Sequence, residues 1–185
     1  MNKTLFWFLP VGVLMWFGAR QNELLFHTLA DLWAIGIALL AGYVGISTFR
    51  YTRNTFAAGL GLLFGCLGAV DLFHVLTYEG MGVFPFLGAD QSIQLGILVR
   101  WIQGLGFLVV LFCHRRRGFL PAFGILLSCA AAAGVVCVFF SLFPVRLIAG
   151  SGGTPFKIWN AVAISFVLGL GALAVWRSSY PAIRP

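Results

Sequence analysis

The sequence predicts an all-α, integral-membrane bundle of six transmembrane helices forming one domain over residues 1–185, with both termini in the cytoplasm. Three observations carry this. The 185 residues are 61% hydrophobic and only 9% charged, against the roughly one quarter charged that a soluble domain carries. The apolar residues fall in six long runs, too long and too continuous for the alternating pattern of a barrel strand. The Lys and Arg residues cluster at the ends of those runs.

The runs, in order, are Leu5–Ala19, Leu24–Thr48, Thr55–Thr77, Ile93–Cys113, Phe119–Phe143 and Ile158–Trp176. The first is short enough to resemble a signal-peptide core, but Gly18-Ala19-Arg20 is a poor cleavage site, so it is read as a span. With the N-terminus inside, the cytoplasmic ends hold Lys3, Arg50, Arg53, Arg115, Arg116, Arg117, Arg177 and Arg184, and the outer loops hold only Arg20, Arg146 and Lys157. That asymmetry sets the orientation.

The net charge of +7 does not indicate nucleic acid. The basic residues mark span ends and form no aromatic-interleaved face on a soluble fold. Cys66, Cys113, Cys129 and Cys137 show no CxxC spacing and read as small packing residues rather than a disulfide or zinc framework. Gly59, Gly61, Gly65 and Gly68 give the third run a small-residue face, which permits close helix approach and a central position in the bundle. The inner connections are terse. The outer ones, Tyr78–Ser92 and Pro144–Lys157, are longer and rich in Gly and Pro, so binding is expected on the outer face.

Charged side chains inside a bilayer are costly and face a bundle interior, paired or functional. In the second run, Glu23, His27 and Asp31 recur every four residues, on one helical stripe. In the third, Asp71, His74 and Tyr78 share a stripe, and in the fourth Arg100 and Gln103 share a face with Gly96 beside them. At 1.5 Å per residue, Asp31, Asp71 and Arg100 are expected roughly 9–11 Å below the outer boundary and the two histidines roughly 4–5 Å below it. Two readings follow. Arg100 between the aspartates makes a buried ion-pair latch of ambiguous energetic value. Alternatively, the layer is a ligand or metal pocket.

Two neutral imidazoles at matched depth can hold copper, zinc or haem iron, with the aspartates one turn deeper orienting the rings. The cofactor stays open between haem and copper, the shallow depth of the histidines arguing against haem. Protonation of the histidines or capture of a small carboxylate by Arg100 are the alternatives. His114, in Cys113-His114-Arg115-Arg116-Arg117, reads as interfacial.

At these residues the chain resembles the third class of bacterial membrane-associated sensor domains. The resemblance rests on Phe26-His27-Thr28-Leu29-Ala30-Asp31, on Asp71-Leu72-Phe73-His74-Val75-Leu76-Thr77-Tyr78, on Gly80-Met81-Gly82-Val83-Phe84-Pro85 and on Thr154-Pro155-Phe156-Lys157-Ile158. It covers roughly residues 20–175. It implies an input domain of the bacterial inner membrane, followed in such proteins by histidine kinase or diguanylate cyclase outputs. It also implies functional roles for His27, Asp31, Asp71, His74, Tyr78 and Lys157, with no chemistry attached.

Three features depart from the pattern: Glu79 stands where a basic residue is more usual, Trp159-Asn160-Ala161 lacks an acidic residue, and the chain stops at Pro185 where a further span or two and an output would be expected. The leading expectation is therefore a sensor that binds at the His/Asp/Arg layer and relays to a cytoplasmic or membrane partner. A free-standing subunit of a larger membrane complex, carrying haem or copper between His27 and His74, is the alternative. A transporter ranks below both because no polar pathway continues inward, and no nucleophile–base pair suggests an enzyme.

Overall fold

The structure, a computed structural model, describes residues 9–143, 147–148 and 152–177. Six helices account for nearly all of them: α1 (Leu9–Gln21), α2 (Glu23–Thr52), α3 (Thr55–Leu76), α4 (Ala89–Cys113), α5 (Phe119–Phe139) and α6 (Pro155–Arg177). A two-residue antiparallel pairing, Leu147 with Gly153 and Ile148 with Gly152, precedes α6. Helices α2 to α6 are each long and apolar enough to cross a membrane. Helix α1 has 13 residues, and residues 5–8 of the first expected span lie outside the described residues.

Local chemistry sets the helix ends. Asn22 caps α2, its Oδ1 accepting from the Leu24 N–H at 2.8 Å. Helix α2 runs on to Thr52, four residues beyond the expected Thr48, and the Thr48 and Thr52 hydroxyls donate back to the Val44 and Thr48 carbonyls at 2.7 and 3.1 Å. Such bonds satisfy a hydroxyl inside a helix. Arg53 then adopts the left-handed conformation (φ 52°), and Asn54 caps α3 by accepting from Phe56 and Ala57. Two residues thus reverse the chain.

The fourth helix begins at Ala89, inside the stretch expected to be loop, and α5 ends at Phe139 rather than Phe143, where Ser141 takes a φ of 53°. Before α4, the loop folds down onto the bundle end. Gly80 and Gly82 supply the positive φ values of its turns, and Phe84 packs edge-on against Phe139 with 5.3 Å between centroids.

Helix α3 is central, as its glycines lead one to expect: it packs against α2, α4 and α5, while α6 packs on α4 and α1 on α2. The core is built from α3, α4 and α5, with Leu63, Leu95, Val99, Val110 and Val138 fully buried. Peripheral helices present apolar side chains outward, including Leu40, Phe166 and Trp176, a surface that suits lipid rather than water.

The α2–α3 contact is backbone against backbone. A Cβ placed on Gly42 would lie 2.9 Å from Gly65 Cα, and one on Gly45 would lie 2.8 Å from Gly61 Cα. Only glycine fits there. Of the cysteines, Cys66 and Cys113 border the core as expected, but Cys129 is exposed on α5. His114, at the end of α4, is buried against the protein, its Nδ1 3.1 Å from the Val110 carbonyl and its ring 5.3 Å from that of Phe56.

Candidate metal or ligand site

The outer end of the α2–α3 pair brings His27, Asp31 and His74 together. One ligand atom from each lies within 4.8 Å of the other two, and all three residues are partly buried. The four-residue spacing on α2 stacks His27 over Asp31, and the tight reversal at Arg53-Asn54 together with the glycine contact fixes where α3 presents His74.

Each ring is oriented by its neighbours. His74 Nδ1 is 2.8 Å from the Ser92 carbonyl. A carbonyl only accepts, so Nδ1 carries the proton and Nε2 keeps its lone pair for a ligand. The Ser92 hydroxyl lies 3.3 Å from the same nitrogen, and Gly96, one turn on, leaves space for the ring: a Cβ there would sit 3.3 Å from His74 Cε1. The His27 ring stands 6.0 Å from His74 and 4.4 Å from Tyr78, edge-on to both. Asp31 Oδ2 is 2.8 Å from His27 Nδ1. That approach is an ion-pair contact rather than an aligned hydrogen bond, and this buried oxygen has no other polar partner. A buried carboxylate oxygen without an aligned donor keeps a lone pair that a cation can take.

Tyr78 closes the outer side. Its phenol is pushed up by partial burial and then by the negative field of Glu23, Asp31 and Glu79, so it remains a neutral donor at neutral pH. Glu23 is exposed at the first turn of α2.

Asp71 is half-buried, with His74, Arg100 and Asp31 as its electrostatic neighbours. Arg100, however, is exposed, and its Nη1 donates to Gln103 Oε1 at 3.3 Å. Among the described residues no ion pair joins it to either aspartate, so the buried latch is not formed. The reason is the earlier start of α4. Arg100 follows Ala89 by 11 residues, about 16 Å along the axis at 1.5 Å per residue, which carries it below the aspartates. Lys157 is exposed on the first turn of α6, a helix packed on α4, and is not brought to the histidines.

Sequence reasoning missed Ser92, which is buried at 2% exposure and holds His74. It also missed Met81, whose sulfur accepts from Thr28 Oγ1 at 3.8 Å and ties the outer loop to α2. A separate apolar groove of about 590 Å³ between α3 and α5, lined by Gly65, Ala69, Ala131 and Val135 among others, lacks the convergent polar groups that orient a small ligand.

Comparison with known proteins agrees with the resemblance. The family model for MASE3, a membrane-associated sensor domain, matches residues 19–182. No curated protein and no solved structure matches. The match takes in all six helices in whole or in part, together with every residue of the candidate site. The chain belongs to the MASE3 family of membrane-associated sensor domains.

Proposed function

We propose that this chain is the input domain of a multi-pass sensor of the bacterial inner membrane, that it binds a divalent transition-metal ion through His27, Asp31 and His74 near the outer surface, and that it relays binding to a cytoplasmic or membrane partner. The observation that carries this is the convergence of two imidazoles with an Asp31 oxygen that makes no aligned hydrogen bond, all within 4.8 Å. Two nitrogens and one carboxylate oxygen, without thiolate, suit zinc or copper. A tetrahedral ion would draw the three ligand atoms to about 3.3 Å apart, within reach of side-chain rotation. Copper is favoured over haem as the meaning of the paired histidines. The Asp31 carboxylate beside the two rings supplies a third protein ligand, which a bare ion takes and a haem iron already held by two axial histidines does not.

Six spans with both termini inside, as the Lys and Arg asymmetry indicates, put the site outside and the Arg53-Asn54 reversal inside. An ion that pulls α2 and α3 together at one end favours one packing of that pair over another. The glycine contact between Gly42, Gly45, Gly61 and Gly65 transmits it rigidly, because backbones in contact cannot absorb a shift. Differential affinity for the two packings is all that such a relay requires.

Titration of the detergent-purified protein with Zn²⁺ and with Cu²⁺ tests the reading. One ion per chain is expected, lost when Asp31→Asn removes the carboxylate charge. Binding that is absent, or that the His27→Ala variant retains, would overturn it. Gly96→Val supplies a second check. Its side chain displaces the His74 ring, and affinity should fall about 10–100-fold, the usual cost of disturbing a ligand's support.

A further inference from the structure

Arg100 and Asp71 raise a question the metal site does not answer. Arg100 stands near the middle of α4, exposed on the bundle surface, on the same stripe as Gly96 and Gln103. Its one hydrogen-bond partner among the described residues is the neutral Gln103. Asp71, half-buried on α3, makes no ion pair within 4 Å among the described residues either, although His74, Arg100 and Asp31 of its own chain act on it at longer range. Two turns below Asp71 on the same stripe, Phe64 is also exposed, at 36%. A helix bundle in lipid does not leave a guanidinium facing hydrocarbon at mid-span when a partner surface can take it.

The charges on this face come as one cation and one anion, on neighbouring helices, at depths about one turn apart. A surface bearing both signs side by side is complementary to itself under a two-fold axis: residue i meets residue j, and j meets i. We infer that the α3–α4 face is the contact between two copies of this chain, with Arg100 of each copy paired to Asp71 of the other. The inference is independent of the metal reading, since neither residue is one of the three ligands.

The test uses two differently tagged variants of the full chain, Arg100→Glu and Asp71→Arg. Each alone sets like charge against like charge in its own dimer, and self-association in lipid, read by energy transfer between labelled copies, should weaken by about tenfold or more. Mixed together, the two variants restore both pairs. The glutamate introduced in one copy meets the arginine introduced in the other, and the native Arg100 of the second meets the native Asp71 of the first. The mixture should associate at close to the wild-type level, which also demonstrates that both variants fold. Undiminished self-association of either variant, or no recovery on mixing, would overturn the inference. The latter is the outcome if the two residues pair within one chain or face a different protein.

A second measurement holds even if the charge variants do not fold. In a background with the four native cysteines replaced by serine, Phe64→Cys on one copy and Gln103→Cys on another should cross-link in the membrane. A Leu40→Cys pair on the exposed face of α2 should not. Equal cross-linking at both positions, or none at the first, would contradict the assignment.

Discussion

Replacing His74 with alanine should lower the affinity for Zn²⁺ or Cu²⁺ by at least about 100-fold, more than the 10–100-fold that follows from disturbing a supporting group. The size of the effect follows from geometry. His74 supplies the only ligand atom from α3, so its removal leaves His27 and Asp31 as neighbours on a single helix, four residues apart. Two ligands on one helix still hold an ion weakly, but they no longer tie α2 to α3. The variant should therefore lose affinity and relay together, whereas Tyr78→Phe, which keeps the ring 4.4 Å from His27 and removes only the phenol donor, should change affinity much less. Titration of both variants beside the wild type gives the comparison. Equal affinities for His74→Ala and the wild type would place the ion elsewhere.

The second large effect is structural. Gly61→Val should destabilise the bundle by about 1–3 kcal/mol or more, the range for overpacking a filled contact. At Gly61 even the first carbon of a side chain would come 3.0 Å from the Gly42 carbonyl oxygen and from Gly45 Cα, and what it meets is backbone, which cannot rotate away. Valine adds two methyls to that. The helices must separate, and the outer end of α2 then moves relative to His74. Lower thermal stability and weaker metal binding are both expected in this variant. Gly12→Val on α1, where a Cβ meets nothing within 4 Å, is the matched control and should leave both unchanged. Thermal denaturation in detergent, followed by circular dichroism with and without Zn²⁺, separates the two cases.

Much of this arrangement was legible in the residues themselves. Helix α3 could be read almost to the residue, because its apolar run starts after the polar Arg53-Asn54 and stops at the polar Thr77-Tyr78. The His27–Asp31 pair was legible from four-residue spacing, and His74 from its matching depth on the next helix. The start of α4 was not. Asp90, Gln91 and Ser92 look like loop by composition, yet Ser92 is buried at 2% exposure where α4 meets His74 of α3. Polarity at a span's end signals water only when no neighbouring helix covers it, and sequence does not say what covers it.

Arg100 failed for a related reason. Placing α4 four residues too late put its guanidinium level with the aspartates, and periodicity fixes which residues share a stripe but not how that stripe is rotated toward its neighbours. The role of Ser92 was out of reach altogether, because the group that holds His74 is a backbone carbonyl, which carries no mark in the sequence.

The central claim is that two histidines and one aspartate from two helices hold one ion. X-ray absorption at the metal edge of the Zn²⁺-loaded protein tests it most directly. The expected first shell is two imidazole nitrogens at about 2.0–2.1 Å with oxygen making up the remainder, and the multiple scattering of paired imidazoles. A shell containing sulfur at about 2.3 Å, which would point to the cysteines, or one without imidazole scattering, would contradict it.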